Sequence, residues 1–138
     1  MKNWILILAV SLIASTSFAT SPQYHLYPNS KIEDIQKSSK NTSKSAPTCL
    51  IKITNDSHDD ILVYGTFDDG TPLQPFIIYA YESSHYISLF YYGFCHAGMD
   101  INIDTTSGLR LYNQYTWVNS RLRIVQGWFK PYIVMENS

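Results

Sequence analysis

A chain of 138 residues, 45% hydrophobic and 15% charged, has room for one modest core and no second domain of ordinary size. Its formal net charge is −1, with ten basic residues against eleven acidic. That balance leaves no basic surplus to neutralise phosphates and excludes nucleic acid as the expected partner.

The N-terminus reads as a targeting segment. Lys2 is a short positive start, Trp4 to Ala14 is apolar but too short to span a bilayer, and Ser17-Phe18-Ala19 is a small-x-small cleavage pattern. The pattern predicts a signal peptide over 1–19 and a mature start at Thr20, leaving 138 − 19 = 119 residues in a secreted or periplasmic protein. No cysteine follows the apolar run, which argues against a lipoprotein anchor. The short positive region leans towards a bacterial source.

Residues 20–48 predict a flexible polar linker. The run from Ser38 to Pro47 has no large apolar anchor, and Ile32 and Ile35 support a single helical turn at most. The folded domain is expected over 49–138. Cys49, Ile51 and Ile53 alternate with Leu50, Lys52 and Thr54, an inward-outward strand. A polar turn over 55–60 leads into a strand from Ile61 to Phe67, and Asp68-Asp69-Gly70 is a hairpin signal.

The stretch 76–95 is the densest in β-branched and aromatic residues. Split at Glu82-Ser83-Ser84, it predicts two strands; the second has His85, Ile87, Leu89 and Tyr91 on one face and Tyr86, Ser88, Phe90 and Tyr92 on the other. Both faces are largely apolar, as in a strand covered on both sides. Met99, Ile101 and Ile103 alternate with Asp100, Asn102 and Asp104. Further short strands are expected at 109–112, 115–118, 121–125 and 128–135.

These elements predict an all-β fold: a small antiparallel β-sandwich, or partly open barrel, of about seven to nine strands with no convincing helix. In an oxidising compartment Cys49 and Cys95 predict a disulfide, both on core-facing sides; the alternative is a reactive thiol beside His96.

The catalytic and metal patterns are weak. Asp100, Asn102 and Asp104 line one strand face, too far apart to share calcium, and Arg110 across the next turn is placed to pair with Asp104. Loops 56–60 and 68–69 are acidic but follow no EF-hand spacing; a weak divalent site would need both at one end of the sandwich. His25, His58, His85 and His96 have no zinc spacing. Ser57-His58-Asp59 contains triad letters, but adjacent side chains diverge, and the three glutamates give no paired set for glycoside hydrolysis. No catalytic residue, metal or cofactor is assigned. Asn41 and Asn55 begin Asn-x-Ser sequons, relevant only in a eukaryotic secretory pathway.

Eleven tyrosines are more than a small core needs, so some must face outward. The preferred binding patch is Tyr112, Tyr115 and Trp117 beside Arg110 and Arg121, with Tyr86 and Tyr92 second. Ser107-Gly108-Leu109-Arg110-Leu111-Tyr112 resembles, over six residues, the serine-glycine inhibitory loop of the periplasmic C-type lysozyme inhibitors, small disulfide-bearing β-barrels. The partner Thr-Lys-Gly motif is absent and the second cysteine is not near the C-terminus, so the resemblance assigns no family. The expectation is a non-catalytic binding domain for a protein partner, with inhibition of an extracellular enzyme as one form of that role. A carbohydrate or cell-wall binding module is the alternative, and a hydrolase comes third.

Overall fold

A computed structural model describes residues 21–31, Glu33 and 49–136. The expected signal peptide and most of the expected linker lie outside the described residues. The described residues form eleven strands: β1 (Gln23–His25), β2 (Leu50–Asp56), β3 (Ile61–Phe67), β4 (Pro72–Ile78), β5 (His85–Ser88), β6 (Phe90–Tyr91), β7 (Phe94–Cys95), β8 (Gly98–Thr105), β9 (Arg110–Trp117), β10 (Arg121–Gln126) and β11 (Pro131–Glu136). They form a five-stranded sheet in the order β1-β5-β2-β10-β11, a four-stranded sheet β4-β3-β8-β9, and the small hairpin β6-β7.

The alternation read from the sequence builds the sandwich. Ile51 and Ile53 of β2, Ile87 of β5, and Leu122 and Ile124 of β10 are buried on the inner face of the first sheet. Ile61, Val63 and Phe67 of β3 and Met99, Ile101 and Ile103 of β8 face them from the second. Each such side chain, removed from water, contributes roughly 1.5–3 kcal/mol before entropy is set against it. Gly65 is required where β3 meets β8: a Cβ there would lie 2.1 Å from the Asp100 carbonyl oxygen.

Several expectations change. Two pairings, β1–β5 and β2–β10, are parallel in a fold otherwise expected to be antiparallel. The expected strands at 109–112 and 115–118 are one strand, β9; as an edge it tolerates the polar Asn113-Gln114 within it. The stretch 76–95 gives the end of β4, β5 and the β6–β7 hairpin. β5 is covered on one face only, with Tyr86 stacked on Tyr24 at 5.2 Å on its outer side. Trp128 stands in the turn before β11 and is fully exposed.

The start of the expected linker belongs to the domain. β1 joins the first sheet beside β5, and Tyr27 enters the core. His25 stacks on Phe76 at 3.4 Å and shares a hydrogen bond with His85, Nε2 to Nδ1 at 2.8 Å. Glu82 approaches the far nitrogen of His85 at 3.4 Å and accepts from Gln23. Burial, and then the neighbouring His85, pull the His25 pKa from 6.5 down to about 4.

Cys49 and Cys95 form the disulfide, closing 46 residues of sequence. Cys49, just before β2, is buried, but Cys95 on β7 is exposed, contrary to the expected core-facing position, because β6–β7 leaves both sheets. The bond fastens that hairpin to the entrance of β2.

Two outcomes follow for stability. A lowered folded-state pKa means that the unfolded chain binds the His25 proton more tightly, so its contribution is full above pH 6.5 and disappears as pH falls towards about 4. Denaturant titrations should show about 1–2 kcal/mol of loss across that window after allowance for partial solvent exposure, and His25→Phe should flatten it. Reduction of Cys49–Cys95 should cost about 2–4 kcal/mol by the same measurement; equal stability of the reduced chain would contradict the bracing role.

Candidate functional site

The disulfide end of the sandwich gathers aromatic side chains from four separate segments. Tyr27 follows β1, Tyr91 and Tyr92 come from β6 and its turn, Phe94 and His96 lie in and after β7, and Tyr115 and Trp117 end β9. Tyr27 stacks on Tyr91 at 4.2 Å, Tyr91 on His96 at 3.5 Å, and His96 on Phe94 at 4.2 Å, a column of four rings running from the core to the surface. Phe67 meets Tyr27 and Tyr91 edge-on. Each pair adds about 0.5–1.5 kcal/mol beyond area burial, so the column is stiff.

The turn between β6 and β7 displays Tyr92. Tyr92 and Gly93 both have positive φ, 54° and 84°, the pairing of a tight hairpin turn in which Asn-Gly is the unstrained choice. A tyrosine in the left-handed region is held there by its surroundings. Its ring is 70% exposed, and its hydroxyl lies 2.7 Å from that of Tyr27. Tyr27 in turn donates to Asp69 Oδ2 at 2.7 Å. A phenol has one proton, so with that proton on Asp69 the Tyr92 hydroxyl is the donor to Tyr27.

Asp69 also accepts from the Thr71 amide at 2.9 Å. The Tyr27 bond holds its carboxyl below the usual carboxylate range, and the same bond pushes Tyr27 up to about 12. Burial, followed by the charges of Asp68 and Asp69, also pushes Tyr91 up to about 12. Both phenols are therefore neutral across the physiological range. Beside them lies a cleft of about 460 Å³ lined by Tyr27, Pro28, Thr71, Phe90, Tyr91 and Tyr92 among others.

Asp68 extends the network to the outer face of the four-stranded sheet. Tyr115 donates to its carboxylate at 3.0 and 3.2 Å, and the Tyr115 ring meets Trp117 edge-on at 5.1 Å. Tyr115 lies over Gly98, where a Cβ would come within 2.7 Å of the ring. Trp117 is 62% exposed.

The expected patch is thus redistributed. Tyr115 and Trp117 are outward neighbours and join Tyr92 through Asp68-Asp69. Tyr112 is buried: three residues before Tyr115 on one continuous strand, it points to the opposite face, where its hydroxyl meets Thr116 at 3.0 Å. Arg110 lies at the other end of β9 and pairs with Asp104 at 2.7 Å as expected, while also donating to Tyr64. Asp104 is lowered chiefly by that guanidinium. Arg121 and Tyr86 are on the outer face of the first sheet, in one transverse row with Lys52. Sequence reasoning missed Tyr27, Phe94 and His96; the cluster Tyr24, His25 and Tyr27 within a polar stretch was the available signal.

The other candidate motifs have structural duties. Ser57 Oγ bonds Asn55 at 2.7 Å and the His58 ring bonds Tyr81, so Ser57-His58-Asp59 forms no relay. The Asn55 amide is wholly buried, donating to the carbonyls of Asp59, Ile78 and Tyr79, and is unavailable as a glycan acceptor in the folded chain. Loops 56–60 and 68–69 flank opposite ends of β3, about 20 Å apart at 3.3 Å per residue, and share no ion. Among the described residues no three His, Cys, Asp or Glu side chains converge for a metal. Ser107 bonds Thr105 within its own turn at 2.8 Å.

Tyr27→Phe should release Tyr92 without unfolding the domain. Amide exchange of residues 90–95 should accelerate while that of β2 and β8 stays unchanged; unaltered exchange in the hairpin would remove the hydroxyl relay from the account.

Searches against protein-family models, curated proteins and solved structures found no significant match to the chain.

Proposed function

We propose that the chain is a non-catalytic binding domain acting outside the cytoplasm, secreted or periplasmic, and that it recognises a protein partner through the disulfide end. The observation that carries this reading is the unbroken run Trp117, Tyr115, Asp68-Asp69, Tyr27 and Tyr92. Its members fix one another, so the exposed rings of Trp117 and Tyr92 are ordered before any partner arrives. Ordering in advance lowers the entropic cost of association, and large aromatics are the side chains on which interface energy concentrates. The carboxylates of Asp68 and Asp69 at its centre suit a partner presenting a basic side chain against aromatic faces.

Location rests on the disulfide, which persists in oxidising compartments, together with the N-terminal targeting pattern. Among the described residues no helix is long and apolar enough to cross a membrane. A second reading, a carbohydrate or cell-wall module, is favoured by the cleft beside Tyr92, where aromatic walls stand next to an acceptor carboxylate.

Immobilised oxidised domain should retain one stoichiometric protein from envelope or host extracts. Trp117→Ala and Tyr92→Ala should each weaken that binding about tenfold or more, with thermal melting unchanged. Retention indifferent to both substitutions rejects this surface. Glycans that shift tryptophan fluorescence, with no protein retained, establish the second reading instead.

A further inference from the structure

The two sheets have four edge strands, β1 and β11 in one and β4 and β9 in the other. Three of them are blunted. β1 is three residues long. β4 carries Pro72 and Pro75 and shifts register against β3; β9 has Asn113 and Gln114 in its middle and shifts register against β8. Short edges, prolines and irregularities are the devices that keep sheets from pairing edge to edge. β11 has only a proline at its first position. Tyr132-Ile133-Val134-Met135 is uncharged, and Tyr132, Val134 and Met135 are exposed.

The main-chain groups available on that edge follow from the hairpin. The Gly127 N–H donates to the Lys130 carbonyl at 3.2 Å, making these two a hydrogen-bonded pair. Antiparallel alternation then turns the main-chain groups of Tyr132, Val134 and Glu136 towards β10, and those of Pro131, Ile133 and Met135 towards the free edge. Ile133 and Met135 lie on the sheet's inner face, in register with buried Ile124 and Leu122; Tyr132 and Val134 lie on the outer face.

We propose that β11 pairs antiparallel with β11 of a second copy of this chain, about a two-fold axis at Ile133, joining the two five-stranded sheets into one. Three constraints select that axis. Inner faces stay together only if residues of like parity are paired, which excludes one-residue shifts. Like parity leaves axes from Pro131 to Met135, and charge discriminates among them: an axis at Tyr132 sets Lys130 opposite Val134 and one at Val134 sets Glu136 opposite Tyr132, whereas an axis at Ile133 brings Lys130 against Glu136. An axis at Pro131 drives the strand into the Gly127–Lys130 turn, and one at Met135 sets the Glu136 carboxylate opposite apolar Val134.

At Ile133 the overlap runs from 130 to 136. Ile133 exchanges both hydrogen bonds with its counterpart, and the Met135 N–H reaches the Pro131 carbonyl of the second copy. Tyr132 lies opposite Val134, an aromatic against a β-branched side chain. Exposed Lys130 falls opposite Glu136, an ion pair made twice by symmetry.

Analytical ultracentrifugation of the full oxidised chain over the micromolar range should show a concentration-dependent dimer. Lys130→Glu should raise the dimer dissociation constant about tenfold, since it replaces two attractive pairs by two repulsive ones. The double variant Lys130→Glu/Glu136→Lys should return it close to wild type, with monomer melting temperatures lowered only slightly, since the Arg123–Glu136 ion pair it removes is long, 3.9 Å, and exposed. A wild-type chain that stays monomeric overturns the proposal, including one whose edge takes up an added extended peptide of a different sequence. A dimer unaffected by the single and the double reversal overturns it equally.

Discussion

The Cys49–Cys95 bond holds the strand pair that, among the described residues, belongs to neither large sheet. The β6–β7 hairpin pairs only with itself, over four residues, and an isolated hairpin of that length has no independent stability. Fastened to the start of β2, it gains a fixed base, and the ring column of Tyr27, Tyr91, His96 and Phe94 locks its height above the core. The left-handed Tyr92 is tolerable only in that setting. The geometry of the aromatic surface therefore descends from a covalent bond, while the sandwich beneath it descends from aliphatic burial.

The two ends of the sandwich are closed by different chemistry. At one end the Asn55 side chain donates to the carbonyls of Asp59, Ile78 and Tyr79 and accepts from the amide and hydroxyl of Ser57, a polar plug with no solvent contact. At the other, aromatic faces and two aspartates do the closing and leave rings standing in solvent. A buried amide whose every group is satisfied fixes its loops and offers nothing to a ligand. The aromatic end is also internally bonded, but its faces, unlike its polar atoms, remain open to a partner.

Much of this was legible in the sequence because each long strand buries a single face. Ile51-Ile53 and Ile101-Ile103 alternate with polar neighbours, and turns at 55–60, 68–70 and 106–108 bound the strands. Legibility fails where an edge relaxes the rule. Asn113-Gln114 reads as a break because polar residues inside a strand are unusual, yet an edge strand accepts them, and the false break conceals that Tyr112 and Tyr115 have opposite parity. The parallel partners of β2 and β5 leave no local trace, since no short turn joins them. Tyr27 sits in a stretch polar enough to pass for linker; only its contacts with residues more than forty positions away give it a place in the core.

The middle of the first sheet pairs Lys52 with Arg121, 121 − 52 = 69 positions apart, and the edge beyond β5 pairs Gln23 with His85, 85 − 23 = 62 apart. Contacts this distant in sequence close late, because the entropy of the intervening loop is lost before the contact repays it. The first sheet cannot be completed until β10 has been synthesised, so β2 lacks one of its two sheet neighbours until all but the last strand has been made. Topologies dominated by such pairings fold in milliseconds to seconds rather than microseconds. Until then the unpaired edge of β2 is a hazard for aggregation.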